Sequence, residues 1–161
     1  MKLSAIGAGW LAALVVCASA PARAAEGPFA LGLVLGSPMG ISARLALGPS
    51  FALDLGAGSG TIRDDGPEAH LGLLWTAAVA WRSPGFSMPL YLGIGSRLMD
   101  AEGRHQGEEL HLGVRVPLGV AARLAPSQLE IFAEVAPVYD LVQHNGQALD
   151  LDFGVGVRYG F

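Results

Sequence analysis

The sequence contains one cysteine, Cys17, and one lysine, Lys2, and both lie near its amino terminus. That end has the pattern of an export signal, with a basic start, an apolar stretch and the small-x-small triplet Ala22-Arg23-Ala24. We expect cleavage directly after this triplet, which gives a signal peptide at 1–24 and one domain at 25–161. A mature chain without cysteine cannot form disulfides, although an exported protein meets conditions that would permit them.

Basic charge is also scarce after the predicted signal. The remaining chain has eight arginines against fourteen aspartates and glutamates, so it is a poor candidate for binding a nucleic-acid backbone. Long apolar runs are absent too. The chain is 52% hydrophobic, with a mean hydropathy of +0.44, yet no segment after the signal is long and apolar enough for a transmembrane helix. The hydrophobicity must therefore be arranged in another way.

The apolar residues instead occur at every second position along the chain. In the closing run "LDLDFGVGVRYGF", every odd-numbered residue is large and apolar, and the residues between them are small or charged. A period of two indicates a β-strand with different environments on its two faces. Eight segments show this period, the fifth and sixth with their apolar residues at even rather than odd numbers. They span 29–36, 41–47, 51–58, 70–81, 90–98, 110–124, 129–141 and 149–161.

The composition of the second face decides between two all-β folds. A soluble sandwich or barrel would present lysine, threonine and glutamine to water, whereas this face is mostly glycine, alanine and isolated charges. Small residues suit the narrow interior of a closed eight-stranded sheet. We therefore predict an all-β fold: an eight-stranded antiparallel up-and-down transmembrane β-barrel of the outer membrane. Connections alternate between short ones, expected in the periplasm, and longer polar ones, expected outside, except that the first outer loop, "GSPMG", is short.

The chain resembles small outer-membrane barrels such as OmpX and the transmembrane domain of OmpA. The stretches "LGLVLGSPMGISARL", "PLYLGIGSRL", "GVRVPLGVA" and "LEIFAEVAPVYDL" are most similar to a family of outer-membrane barrels of unknown function. The terminal run with Tyr159 and Phe161 looks like the signal that the barrel assembly machinery reads. The resemblance implies a fold, a location in the outer membrane and contact with periplasmic chaperones, but no activity.

Charged residues on the inward face are the candidate site. They are Arg44, Asp54, Arg97, Arg115, Arg123, Glu130, Glu134, Asp140, Asp150, Asp152 and Arg158. Because isolated charges in a narrow interior are costly to desolvate, we expect them to form ion pairs. A two-residue turn at Pro126-Ser127 would place Arg123 opposite Glu130. The same register puts Asp140 diagonally from Arg115, and it puts Glu134 opposite a glycine, so Glu134 needs a partner on another strand.

The histidines suggest a weaker alternative. His70, His105, His111 and His144 are all expected at the outer end, close to Asp140, Asp150 and Asp152. Such a cluster suits a divalent cation, but it has no metal-ligand spacing, so we predict no metal site, cofactor or catalytic residue. The predicted function is a non-enzymatic, monomeric barrel among outer-membrane lipids, with a closed, salt-bridged lumen and a structural or surface-interaction role. The alternatives are a lipid A- or phospholipid-modifying enzyme, which needs a nucleophile beside a base, and a small-solute channel.

Overall fold

The computed structural model describes residues 27–59, 66–101, 109–141 and 149–161, without the side chains of residues 101, 109 and 110. The predicted signal peptide therefore lies outside the described residues, as do His105 and His144. Within these ranges the chain is all-β, which confirms the predicted class. No helix in the described residues is long and apolar enough to cross a membrane.

Nine strands form the structure within the described ranges. They are β1 (Phe29–Gly36), β2 (Met39–Ala46), β3 (Phe51–Ser59), β4 (Pro67–Ser83), β5 (Phe86–Ala101), β6 (Glu109–Arg115), β7 (Leu118–Leu124), β8 (Leu129–Asp140) and β9 (Leu149–Gly160). One 3₁₀ turn, Ala125–Ser127, joins β7 to β8. Along most strands buried and exposed residues alternate, as the period of two requires.

The antiparallel sheet closes into a ring of eight strand positions. Apart from β6 and β7, each strand pairs with the next along the chain, and β9 pairs with β1. β6 and β7 share one position, since both pair with β5 on one side and with β8 on the other. The predicted sixth strand is thus interrupted at Val116-Pro117, because a proline has no N–H to give to the ladder. The Pro117 carbonyl still accepts a hydrogen bond from Gly93 N at 2.8 Å.

The pairing of β7 and β8 follows the register predicted from the sequence. Arg123 lies opposite Glu130 and Gly119 opposite Glu134. The same register continues across the interruption into β6. The predicted two-residue turn is wrong in detail: the 3₁₀ turn is followed by Gln128 in the left-handed region, at φ 54°. The longer turn keeps the register because it takes one residue, Ala125 or Gln128, from the end of each strand.

The β4–β5 hairpin differs more from the prediction. Between the fourth and fifth segments the sequence pattern predicts a compact turn over Ser83–Met88. In the structure the turn is only Pro84-Gly85, with Gly85 at φ 79°, and both strands extend further than the pattern suggests. β3 pairs with β4 only up to Trp75. From Ala77 to Ser83, β4 is therefore exposed on both faces. β4 still pairs with β5 there, but neither of its faces is covered. The alternation of apolar and polar residues therefore does not show where the strand ends.

The ring has an apolar outer face and a polar interior. Large apolar side chains are exposed on every strand, and along β9 those from Leu149 to Tyr159 are 40 to 72% exposed. Within the described residues, one small apolar cluster lies in the interior: Val34, Leu74, Tyr91, Ala121 and Phe132. Most of the predicted inward charges are buried around it. This distribution is the reverse of a soluble protein's, in which buried charges are rare.

Candidate functional site: the interior charge network

All eleven predicted inward charges take part in ion pairs inside the ring, in two groups. The Glu130 cluster consists of Arg44, Asp54, Arg123, Glu130 and Arg158. The Arg97 cluster consists of Arg97, Arg115, Glu134, Asp140, Asp150 and Asp152. The register alone predicts none of the bonds that cross the interior, because those join strands that are not neighbours in the sheet.

Glycines on the inner face make room for the larger side chains. A Cβ on Gly119 would overlap the Tyr91 ring, and a Cβ on Gly156 would lie 2.5 Å from the Phe132 ring. Tyr91 is 3% exposed and Phe132 is 4% exposed. These two rings lie under the guanidinium groups of the Glu130 cluster, so the small residues decide where the arginines can lie.

Glu130 is the acceptor on which three arginines converge. Its Oε2 accepts from Arg123 Nε at 2.8 Å, the pair that the turn predicts. Its Oε1 accepts from Arg158 Nη1 at 3.0 Å and from Arg44 Nη1 at 3.4 Å. Arg44 also lies over the Tyr91 ring, 5.3 Å from its centre. A single carboxylate therefore balances part of the charge of three guanidinium groups.

Arg158 links Glu130 to the opposite side of the ring. It is 1% exposed and donates through Nη2 to Asp54 Oδ1 at 2.6 Å. It also donates to Ser42 Oγ from Nε at 2.9 Å, and it stacks on Phe132 at 3.8 Å. A buried guanidinium is tolerated only where its donors and its charge are both matched, and here they are.

Arg97 holds three aspartates in the second cluster. Its Nη1 donates to Asp150 Oδ2 and to Asp152 Oδ1, both at 2.7 Å, and its Nη2 donates to Asp140 Oδ1 at 3.2 Å. Arg115 completes the group, with Nε 3.1 Å from Asp152 Oδ2. Asp152 thereby bridges two arginines, which fixes both in the interior.

The structure gives the partners of two carboxylates, one as expected and one not. Glu134, which needs a partner on a strand other than the one facing it, finds Arg115 of β6, whose Nη2 donates to Glu134 Oε1 at 2.6 Å. Asp140, expected near Arg115, instead bonds Arg97. The register is as predicted in both cases, and the difference lies in the length of the arginine side chain, which reaches past its diagonal neighbour.

Two buried polar residues of this region were missed by the sequence reasoning. Ser42 lies in the predicted segment 41–47 but is not one of the predicted inward charges, and Glu68 lies before the predicted segment 70–81. Glu68 belongs to β4, is 3% exposed, and accepts a hydrogen bond from Ser37 Oγ at 2.8 Å. The signal was available, since Glu68 continues the even-numbered inward face of Leu74 and His70.

Of the four histidines expected at the rim, only His70 and His111 lie within the described residues. His70 lies in the interior, 9% exposed, with Nε2 3.3 Å from Asp54 Oδ2. The three aspartates expected beside it surround Arg97 instead. Among the described residues, no group of histidine, cysteine or acidic side chains has a geometry that could hold a metal. In the same part of the chain, no serine hydroxyl is hydrogen-bonded to a histidine: Ser37 bonds Glu68 and Ser42 bonds Arg158.

The end of the chain is part of the sheet. Phe161 N donates to Phe29 O at 2.8 Å, so the terminal residue pairs with the start of β1. The Phe161 ring packs edge-on against Tyr159, with ring centres 5.3 Å apart, and lies 6.2 Å from Phe29. Four tryptophan and tyrosine residues of the apolar, alternating face are exposed. They are Trp75, Trp81, Tyr139 and Tyr159.

Charge is unevenly divided between the clusters. The Glu130 cluster has three arginines against two carboxylates, and the Arg97 cluster has two arginines against four carboxylates. Together these side chains come within one charge of balance, but they are basic around Glu130 and acidic around Arg97. Near Glu130 the excess charge is positive, which favours anions there.

The fold and the site define a structural class: a closed antiparallel sheet with an ion-paired interior and an apolar exterior. Comparison with known proteins does not assign the chain to a particular family, because no protein-family model, curated protein or solved structure matches it.

Proposed function

We propose that this chain is a monomeric outer-membrane β-barrel, exported by a cleaved signal peptide and inserted by the barrel assembly machinery with the help of periplasmic chaperones. In this proposal the ion-paired side chains close the lumen. The role is structural or surface-interacting and does not involve catalysis. The likeness to OmpX and to the transmembrane domain of OmpA belongs to the same proposal.

The apolar outer face of the ring is the observation that carries the proposal. Leu149, Leu151 and Phe153, successive outward residues of β9, are 72, 59 and 50% exposed. Burying one such side chain contributes about 1.5–3 kcal/mol, and apolar patches of this extent on a soluble monomer cause association. A bilayer covers the whole face at once, and the closed ring satisfies the backbone groups that lipid cannot.

The location can be tested by fractionation. We expect the mature protein to sediment with outer membranes and to migrate faster on gels before heating than after, because a closed barrel resists unfolding by detergent. The measurement is immunoblotting of separated membrane fractions, with and without boiling. Recovery in the periplasmic fraction without detergent would overturn the proposal.

The channel alternative can be tested by conductance. Arg97 and Arg158, both buried across the interior, support a lumen filled by side chains, and eight strands enclose little more than that. We expect no steady conductance from the wild-type protein in planar bilayers. Stable, large openings in single-protein recordings would favour the channel instead.

The terminal aromatic allows a test of assembly. Phe161→Ser keeps the backbone bond to Phe29, so it should lower the stability of the folded protein by only about 1 kcal/mol, the value of an aromatic contact. We expect a much larger loss in the amount inserted in cells. Phe153→Ser, a change at an exposed phenylalanine of the same strand, is the matched control and should insert more efficiently. Equal membrane yields from the two variants would count against an assembly signal at Phe161.

A further inference from the structure

A cavity opens at the end of the ring where the β2–β3 and β7–β8 connections meet. Its volume is about 200 Å³, and its walls include Arg44, Arg123, Glu130, Gln128, Gly48 and Gly160. Since each water in the liquid occupies about 30 Å³, the cavity holds several waters or one group of the size of phosphate. All of its walls are formed by this chain, so the cavity does not depend on a surrounding membrane.

The arginines that line this cavity have donors to spare. Arg44 is 6% exposed and makes one long hydrogen bond within the described residues, at 3.4 Å to Glu130. Arg123 is one-third exposed at its side chain and bonds Glu130 only through Nε. Its two terminal nitrogens have no partner among the described side chains, so they are available to a ligand.

Glu130 does not neutralise this site. Among the described residues it is the only carboxylate in the cavity wall. Both of its oxygens already accept from guanidinium groups, and a third arginine, Arg158, adds charge behind it. Asp54, bonded to Arg158, removes one charge and leaves the cluster with an excess of one positive charge. A guanidinium fork with free donors and excess positive charge recognises an oxyanion with two or more oxygens.

We propose that this cavity binds a phosphate group, held by Arg44 and Arg123. The group is either free phosphate or the headgroup of a phospholipid at that end of the sheet. The two sources share the same chemistry, and the inference goes beyond the structural role proposed above.

Titration calorimetry tests the site on purified full-length mature protein in nonionic detergent. One arm uses inorganic phosphate, and the other uses phosphatidic acid added to the same micelles, with phosphatidylcholine as the lipid control. Saturable binding in the first arm identifies free phosphate as a sufficient ligand. Saturation by phosphatidic acid alone identifies the headgroup. The absence of saturable binding in both arms would overturn the proposal.

Two sets of variants locate the binding. Arg123→Gln should weaken it by roughly tenfold or more, the value of a charged hydrogen bond, whereas Arg82→Gln, a change at an exposed arginine outside the cavity, should not. Gly48→Asp adds a negative charge without removing an arginine, and a Cβ at Gly48 meets nothing within 4 Å. It should weaken binding relative to Gly48→Asn, which has the same shape. Equal affinities within both pairs would show that the anion binds elsewhere and contradict the proposal.

Discussion

Replacing Glu130 by alanine is expected to destabilise the folded protein by about 3–5 kcal/mol, the cost of breaking a buried ion pair from one side. Glu130 accepts hydrogen bonds from Arg44, Arg123 and Arg158. Its removal leaves three converging guanidinium groups with Asp54 as their one remaining carboxylate. Since folded domains are stable by only about 5–15 kcal/mol, this loss is a large part of the total.

The arginines differ in how far their removal should rescue this variant. Arg44 is almost fully buried, whereas the Arg123 side chain is one-third exposed and partly screened by water. Adding Arg44→Ala to Glu130→Ala should therefore recover more stability than adding Arg123→Ala. The measurement is urea unfolding and refolding in lipid vesicles, with Arg82→Ala as the control at an exposed arginine. A Glu130→Ala protein as stable as the wild type would show that water already screens this cluster.

Most of the fold could be predicted from the sequence because alternation reports directly which face of a strand is buried. The outward apolar residues change from odd to even numbers at Leu90, which is exposed in β5. They return to odd numbers at Leu129, the first residue of β8. Strand ends were harder. Pro67 and Glu68 lie among loop-forming residues, and β4 continues past Trp75 although its second face is no longer covered.

The charge network could be predicted in its membership but not in its pairing. Adjacent strands place side chains in a fixed register, so the pair of Arg123 with Glu130 follows from the turn. Arg97 on β5 bonds Asp152 on β9, and Arg158 on β9 bonds Asp54 on β3. Such contacts depend on the shape of the closed ring and on which arginine reaches furthest, and neither is a property of local sequence.

The second large effect is expected at Arg97. Methionine there would keep much of the apolar volume of the side chain but would remove the donor that holds Asp140, Asp150 and Asp152 together. Arg115 would remain as the one arginine of the cluster, already shared between Asp152 and Glu134. We expect a loss of about 3–5 kcal/mol near neutral pH, because the cluster would contain carboxylates without a counter-charge.

The pH dependence of this loss distinguishes unpaired charge from poor packing. Carboxylates crowded together without a cation take up a proton readily, which removes their repulsion. The difference between Arg97→Met and wild type should therefore shrink when unfolding is measured at about pH 5 rather than about pH 8. Glu130→Ala should show no such relief, because the arginines it leaves behind keep their protons throughout that range.

Adding Asp152→Asn to Arg97→Met should recover part of the stability at the higher pH. A loss at Arg97 that is the same at both pH values, and that Asp152→Asn does not reduce, would mean that the arginine acts by filling space and not by pairing the carboxylates.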